Sequence, residues 1–297
     1  MGILDGRVVI VTGAGRGIGR AEALECARQG AAVVLAEFDP SPAYDVADEI
    51  IAAGGRAIVA SGDVAETDFV DRVVASTVEE FGRLDALVNN AGILRTNELA
   101  NMTDEEWDSV IRVHLRGHFV PTRAVCRYWR ASGRPGRIVH TTSVAGLFGF
   151  YGQANYSAAK AGIAVLTATV ASEMAQYGVT SNAIAPMALT RMTTDIVDDE
   201  HQAKNGEFLF LDADNVAPMV TYLCSADSGH ISGKVFGVQG DSIEIFQPFT
   251  SAAEIKAGGR RWDPAELTDR VGELFEASGI PAGPENGVDK MRYKALG

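Results

Sequence analysis

The feature that most constrains the fold is a regular alternation of two kinds of segment between residues 8 and 238. Short, nearly continuous apolar runs rich in β-branched residues alternate with longer amphipathic stretches. Strands that helices cover on both faces have such composition, and β-α alternation places successive strands in parallel. The pattern predicts a doubly wound α/β domain, a seven-stranded parallel sheet with helices on both faces. The predicted strands are residues 8–11, 32–36, 58–60, 86–88, 137–140, 179–185 and 235–238.

The predicted helices fill the intervals between these strands. They are residues 19–29, 43–53, 68–81, 104–129, 156–177 and 216–225. Thr103 and Glu106 have the spacing of a capping box, which supports a helix start at Asp104. The alternation ends near Gln247, so we predict one domain over residues 1–247 and a C-terminal extension over 248–297. A short amphipathic helix is expected at 266–275; the extension either packs on the domain or a neighbouring subunit, or is disordered at its end.

The composition excludes two classes of partner. The net charge is −13, and a negative surface repels both nucleic acids and anionic membranes, although local backbone dipoles can still bind an anionic cofactor. The three cysteines are too few and too widely spaced for a disulfide framework or a zinc site, which predicts buried free thiols in a reducing compartment. With neither a secretory signal nor an apolar run of membrane-spanning length in the sequence, we expect a cytoplasmic location.

A glycine-rich turn follows the first predicted strand, in the run Thr12-Gly-Ala-Gly-Arg-Gly-Ile-Gly19. Glycines at a strand-to-helix turn let the backbone approach a pyrophosphate, and the amides of the helix N-terminus then face the anion. Ordinary turns and helix caps also use glycine, which is the alternative interpretation. The flanking strand and helix favour a dinucleotide site. The expected contacts are Gly13, Arg16, Gly17, Ile18 and Gly19.

Acidic residues at two later strand ends bear on the type of dinucleotide. Glu37 lies 20 residues after Gly17, where a carboxylate would accept the ribose hydroxyls and repel the 2′-phosphate of NADP. We therefore predict NAD, with Asp39 as a second candidate acid and Arg16 as a candidate phosphate ligand that would favour NADP. In Gly62-Asp63-Val64, Asp63 could accept from the adenine amino group or could be a loop acid that caps a helix.

Tyr156 and Lys160 are four residues apart and share one face of a predicted helix. A nearby ammonium favours the phenolate and lowers the tyrosine pKa from about 10, so the pair can take a hydroxyl proton while hydride leaves the same carbon for a nicotinamide. Such a pair is often only a helix face. Ser143, 13 residues earlier, could polarise the substrate oxygen; Thr142 could be mistaken for it, and both could be strand-end caps.

A further motif, Asn89-Asn-Ala-Gly92, follows the strand at 86–88, on the edge where open α/β sheets bind ligands. Together with Ala185-Pro186, these motifs resemble the short-chain dehydrogenase/reductase family over about residues 5–245. The resemblance implies a seven-stranded Rossmann fold, NAD(P)-linked chemistry between alcohols and ketones, and a homotetramer or homodimer.

The resemblance also implies a role for each matching residue. Ser143 would orient the substrate, and Tyr156 would be the acid and base. Lys160 would bind the nicotinamide ribose and lower the pKa of Tyr156. Asn90, with Gly92 in the same motif, would lie on the adenosine side of the cofactor, and Leu189 would offer its backbone to the carboxamide.

Two positions depart from the family pattern. Most members have Val-Asn-Leu in the helix that precedes the fifth strand, where the asparagine helps to hold a proton-relay water; here the run is Val113-His-Leu115. His114 could serve the relay by hydrogen bonding to a carbonyl or water, or could be a helix histidine with no catalytic part. The usual Pro-Gly is Pro186-Met187, which would stiffen the loop over the nicotinamide.

Several further runs resemble one subgroup, the (3R)-hydroxyacyl-CoA dehydrogenase part of peroxisomal multifunctional enzymes and related bacterial proteins. These runs are residues 113–117, 152–160, 184–186, 191–193 and 216–224. The resemblance implies a 3-hydroxyacyl-CoA or a steroid alcohol as substrate. The alternatives are a dehydrogenase of a small or terpenoid secondary alcohol and a cofactor-binding scaffold without turnover.

Overall fold

The computed structural model describes residues 2–188, 208–247, 249–285 and 290–291. Its strands are β1 (Val8–Thr12), β2 (Ala32–Glu37), β3 (Arg56–Ser61), β4 (Ala86–Asn89), β5 (Arg137–Thr141), β6 (Thr180–Met187), β7 (Val235–Gln239) and β8 (Ser242–Phe246). They form one sheet in the order β3-β2-β1-β4-β5-β6-β7-β8. The first seven strands pair in parallel, and β8 pairs with β7 in the antiparallel sense.

The helices connect the parallel strands in the predicted order, but the short helix Val144–Phe148 has no counterpart in the sequence prediction. They are α1 (Gly17–Arg28), α2 (Pro40–Ala52), α3 (Thr67–Phe81), α4 (Asp104–Ile111), α5 (Gly117–Ser132), α6 (Val144–Phe148), α7 (Ala154–Met174) and α8 (Ala217–Cys224). The single helix predicted over 104–129 is wrong, because a π-helical turn at Arg112–Arg116 separates α4 from α5. The capping box of Thr103 and Glu106 is confirmed at the start of α4.

The sheet has an eighth strand, β8, so the prediction of a seven-stranded, wholly parallel sheet needs correction. A tight turn at Gly240 and Asp241, with Gly240 at a φ of +53°, reverses the chain into β8. Half-buried and exposed residues alternate along this strand, and Ile243 and Ile245 lie on its exposed face. An antiparallel edge strand can face solvent and needs no continuous apolar run. The search for such runs could not detect it.

The sheet is buried by helices on both faces, as strand composition predicts. Successive residues of β1 point to opposite faces, so Val9 and Val11 join one hydrophobic cluster and Ile10 joins the other. β1 lies between β2 and β4. The helix that follows β1, α1, packs in one hydrophobic cluster, and the helix that precedes β4, α3, packs in the other, so the chain changes face here. In a doubly wound sheet, this change of direction opens a crevice at the carboxyl ends of the central strands, where ligands bind.

Residues 247–297 form a second compact unit, separate from residues 1–246. The unit contains two short helices, α9 (Pro264–Arg270) and α10 (Gly272–Ser278), where the sequence predicted one helix over 266–275. α9 begins with Asp263, whose side chain accepts from the Ala265 amide at 2.9 Å. In the part of the chain that the structure describes, no helix is both long and apolar enough to span a membrane.

Candidate active site

The glycine-rich turn between β1 and α1 is built for close backbone contact. Gly13 and Gly17 have φ values of +65° and +53°, in the left-handed region that favours glycine. A Cβ on Gly19 would lie 2.1 Å from the Gly13 carbonyl oxygen and 2.4 Å from Asn90 Nδ2. Asn90 donates to the carbonyls of Thr12 and Gly13, both at 3.2 Å. The two loops at the ends of β1 and β4 therefore hold each other in place.

Glu37 closes the other side of this turn. Its carboxylate accepts from the Gly15 amide at 2.9 Å and from the Phe38 amide at 3.0 Å. The acid predicted at the end of β2 is therefore in contact with the glycine turn itself. Arg16 pairs with Asp39 at 3.0 Å, and both side chains are about half exposed. Ile18 packs on the hydrophobic core as a partly buried residue.

Asp63 and Val64 follow β3 in a loop, and both side chains make contacts within the protein. Asp63 accepts from the Ala65 amide at 2.8 Å and forms an ion pair with Arg112. Val64 is 7% exposed and packs in the core beside α5. These are the contacts of a loop acid, but Asp63 does not cap α3, whose N-cap residue is Glu66. The predicted adenine contact of Asp63 stays a prediction. Leu189 lies outside the described residues.

Ser143, Tyr156 and Lys160 meet at the carboxyl end of β5. The Ser143 side chain caps α6 by accepting from the Ala145 amide at 3.1 Å, and its hydroxyl acts to lower the pKa of Tyr156. Lys160 Nζ lies 5.5 Å from the centroid of the Tyr156 ring. A Cβ on Gly146 would lie 2.5 Å from the Lys160 carbonyl carbon, so a glycine lets α6 and α7 pack closely enough to bring the three side chains together.

Thr142, which could be mistaken for Ser143 in the sequence, has a different role. Its hydroxyl donates to the Lys160 carbonyl at 2.6 Å and so ties the end of β5 to α7. Lys160 Nζ donates to the Thr141 carbonyl at 2.6 Å. Adjacent residues of one strand end thus fix both the backbone and the ammonium of Lys160. The structure assigns Thr142 to the frame of the site rather than to its reactive groups.

Burial shifts the pKa of both Tyr156 and Lys160. Loss of solvation raises the pKa of Tyr156, and the hydrogen bond from Ser143 opposes that shift. Burial lowers the pKa of Lys160 to about 7, and the negative charge of Glu22 opposes the shift. Desolvation therefore favours the neutral form of each group. Groups that keep Lys160 charged are needed to favour the tyrosinate.

His114 lies in the π-helical turn, against the ring of Tyr156. The two ring centroids are 5.1 Å apart in an edge-to-face arrangement. His114 Nε2 lies 2.7 Å from the Ile93 carbonyl oxygen, and a Cβ on Gly92 would lie 2.3 Å from its Cε1. Burial, and then the charge of Lys160, lower the pKa of His114 to about 3, so the imidazole is neutral at physiological pH. Its relay role stays a prediction.

Comparison with known proteins agrees with this geometry. The family model described as short chain dehydrogenase matches residues 7–201. The chain is 42% identical over 301 residues to a hydroxyacyl-CoA dehydrogenase, ChsB1, from Mycobacterium tuberculosis, covering 97% of this chain and 94% of the relative. The chain belongs to the short-chain dehydrogenase family. It is therefore an oxidoreductase of a family that uses NAD(P) cofactors.

Two other members of the family extend the comparison. Peroxisomal multifunctional enzyme type 2 of Mus musculus is 42% identical over 244 residues, which span 79% of this chain but only 32% of that protein. A crystal structure of a short chain dehydrogenase from Mycobacterium avium superposes with a TM-score of 0.86 at 46% identity and covers 95% of this chain and 98% of that one. The family membership and the fold predicted from the motifs are confirmed.

The sequence assigned no individual role to four buried polar residues around Lys160. They are Glu22, Asn89, His118 and His140, each at most 1% exposed. His118 stands four residues after His114, so helical spacing could have placed both on one face. His140 interrupts an apolar strand directly before the threonine pair of β5, and Glu22 interrupts the buried face of α1. Polar residues at such positions are the signal that was available.

Proposed function

We propose that this short-chain dehydrogenase uses NAD to interconvert a 3-hydroxyacyl-CoA and the corresponding 3-oxoacyl-CoA. The observation that carries the chemistry is the meeting of Ser143, Tyr156 and Lys160 beside the glycine turn. The substrate class is supported by the hydroxyacyl-CoA dehydrogenase from Mycobacterium tuberculosis, which this chain matches over nearly its whole length. A hydroxysteroid remains a candidate substrate of the same site.

The residues at the ends of β1 and β2 fit a dinucleotide. Gly13 and Gly17 have left-handed backbone, and a Cβ on Gly19 would clash with the Gly13 carbonyl, so the close-packed turn presents backbone rather than side chains. Gly13, Arg16, Gly17, Ile18, Gly19, Val64, Asn90 and Gly92 are the proposed cofactor contacts here. When bound, the nicotinamide supplies the hydride acceptor for alcohol oxidation. The protein has to bind the dinucleotide, orient the alcohol and remove its proton.

Each catalytic side chain has one task in this proposal. The Ser143 hydroxyl donates a hydrogen bond to the substrate oxygen and so fixes its position. The Tyr156 oxygen takes the hydroxyl proton, because only the phenolate is a strong enough base. The Lys160 ammonium, anchored on the Thr141 carbonyl, would bind the ribose hydroxyls, and its charge favours the phenolate. The neutral imidazole of His114, beside Tyr156, would serve the proton relay by accepting a hydrogen bond from water or donating one to a carbonyl or water.

The choice of NAD over NADP rests on Glu37. Its carboxylate already contacts the Gly15 amide, so a ribose in the cleft would meet a negative charge at its 2′ position. A 2′-phosphate there would be repelled, whereas two hydroxyls could donate to the carboxylate. Arg16, the group that could bind a phosphate, is instead paired with Asp39.

A substrate panel tests the proposal. The protein is given NAD or NADP with 3-hydroxyacyl-CoA, a hydroxysteroid or a simple secondary alcohol, and the reduced cofactor is followed by absorbance. A 3-oxoacyl group on acyl carrier protein with NADPH is included, because a 3-oxoacyl-[acyl-carrier-protein] reductase from Synechocystis is 42% identical over 249 residues. We expect kcat/KM to be at least about tenfold higher for 3-hydroxyacyl-CoA with NAD. Preferred turnover in another arm contradicts the substrate assignment.

Three further predictions concern the whole molecule. We propose that the chain forms a homotetramer or homodimer, that it works in the cytoplasm, and that residues 248–297 pack on the domain or on a neighbouring subunit. Sedimentation of the full chain tests the first. Deletion of residues 248–297 tests the third, because a packing role predicts a lower melting temperature or a smaller assembly.

A further inference from the structure

A pocket of buried polar side chains lies between α5 and the sheet, outside the groups that the proposed function assigns. His118 belongs to α5, His140 to β5 and Asn89 to β4. The two imidazole rings stack with centroids 5.7 Å apart and an interplanar angle of 19°. Asn89 Nδ2 lies 3.3 Å from His140 Nδ1 and 3.0 Å from Thr122 Oγ1. Three elements thus contribute to one cluster of buried polar side chains, His118, His140, Asn89 and Thr122, called the histidine pocket below.

Several atoms of the histidine pocket have no hydrogen-bond partner among the residues that the structure describes. They include His140 Nε2, Asn89 Oδ1 and at least one ring nitrogen of His118. A buried polar group without a partner costs about 1–3 kcal/mol, and internal water, which makes about three hydrogen bonds, commonly satisfies such groups. Acceptors and donors from three side chains around one space suit such a water.

Lys160 adjoins the histidine pocket. Its Nζ is bonded to the carbonyl of Thr141, the residue next to His140, and the Lys160 side chain is 2% exposed. Within the described ranges, that carbonyl is its only hydrogen-bond acceptor. An ammonium has three donors, so in the free protein, before a ribose is bound, two of them have no acceptor among the described protein groups. A buried charge is costly unless polar groups surround it.

The imidazoles of the pocket are neutral and can act as acceptors. Burial, then the charge of Lys160, lower the pKa of His140 to about 3 and lower that of His118 well below its usual range. The other titratable groups that face Lys160 are Glu22 on α1, His114 in the π-helical turn and Tyr156 on α7. No described group of three His, Cys, Asp or Glu side chains could hold a metal ion.

We propose that His118, His140 and Asn89 hold internal water beside Lys160, and that the two imidazoles and this water stabilise the Lys160 ammonium as positioning groups. The importance of Lys160 rests on the proposed function, but the water does not. A better solvated ammonium stays charged to higher pH and favours the Tyr156 phenolate at lower pH. Loss of the pocket therefore narrows the pH range of turnover from both sides.

The test compares His140→Leu with His140→Gln, which keeps hydrogen-bonding atoms. Thr167→Val is the matched control, because it removes a buried hydroxyl of α7 that bonds only the Ile163 carbonyl, at 2.8 Å. The pKa of Lys160 is measured by NMR titration of its side chain, and kcat/KM is measured against pH. In His140→Leu we expect the Lys160 pKa to fall by about one unit, the effect of losing a hydrogen bond to a charged group. His140→Gln and Thr167→Val should stay close to wild type.

Three results would overturn the inference. One is a Lys160 titration that is the same in wild type and His140→Leu. Another is a loss of kcat/KM in His140→Leu by the same factor at every pH. The third is a high-resolution crystal structure of the wild-type protein with no water in the histidine pocket. The crystal structure also decides the matter if His140→Leu does not fold. Wild type that turns over no substrate contradicts the proposed function alone, since the NMR and crystal measurements need no turnover.

Discussion

The two halves of the active site are built in different ways. At the cofactor end, the glycine turn is a continuous stretch of backbone, and its conformation follows from residues 12–19 in order. At the catalytic end, the surroundings of Lys160 come from the π-helical turn, α5 and β5, and from α1, which is far from them in sequence. The comparison teaches that local backbone sites can be predicted from spacing, whereas the solvation of a buried charge depends on tertiary packing.

The largest expected effect on binding affinity is at the cofactor end. Gly19→Ala places a methyl group 2.1 Å from the Gly13 carbonyl oxygen, so the turn must move. We expect NAD affinity to fall by at least about 100-fold, close to 3 kcal/mol. Calorimetry with NAD measures this. Gly272→Ala is the control, since a Cβ there meets nothing within 4 Å. Unchanged affinity in Gly19→Ala would contradict a backbone cradle.

The sequence identified the parts of the site that depend on short spacing. Ser143, Tyr156 and Lys160 were predicted together because a strand end and a helix face fix them. It could not show that Thr142 bonds to the Lys160 backbone, or that Asp63 is paired with Arg112. It also missed β8, whose alternation of half-buried and exposed residues resembles a loop when only buried strands are sought. His118 and His140 lie on different elements, so no sequence spacing between them predicts that their rings stack.

A second prediction at the cofactor end concerns the charge of Glu37 and its effect on the choice between NAD and NADP. Glu37→Gln removes the charge but keeps the acceptor that binds the Gly15 amide. We expect the preference for NAD over NADP to fall by about 10- to 100-fold, which corresponds to roughly 1.4–2.8 kcal/mol. The ratio of kcat/KM values for the two cofactors measures it. Asp39→Asn should change this ratio less, because Asp39 is paired with Arg16. A larger change in Asp39→Asn would assign the selectivity to that residue.

At the catalytic end, the buried carboxyl of Glu22 predicts a pH-dependent contribution to the free energy of unfolding. Both carboxylate oxygens are buried without a partner among the described residues, and burial raises the pKa of Glu22 well above its usual range. The native state therefore binds the proton more tightly than the unfolded state, and this contribution to stability is lost as pH rises above about 4.5. Glu22→Met should stabilise the protein by about 1–3 kcal/mol at pH 8 and by less at pH 5. Urea unfolding at both pH values measures the difference.

The buried histidines predict the opposite dependence on pH. The pKa values of His114 and His140 are lowered to about 3 by burial, so only the unfolded state binds their protons between about pH 6.5 and 3. Stability is present above that range and is lost as pH falls through it. His140→Leu should reduce the slope of unfolding free energy against pH by about 1.4 kcal/mol per pH unit near pH 5. An unchanged slope would mean that His140 is not buried as a neutral group.

The most direct test of the account is the turnover of Tyr156→Phe. This change removes one oxygen and leaves the ring that packs against His114. With NAD and the best substrate of the panel, we expect kcat to fall by about 10²- to 10⁴-fold, the usual contribution of a general base. NAD affinity should stay within about tenfold of wild type, the effect of a single hydrogen bond. Turnover that survives in Tyr156→Phe would contradict the assignment of Tyr156 as the proton acceptor.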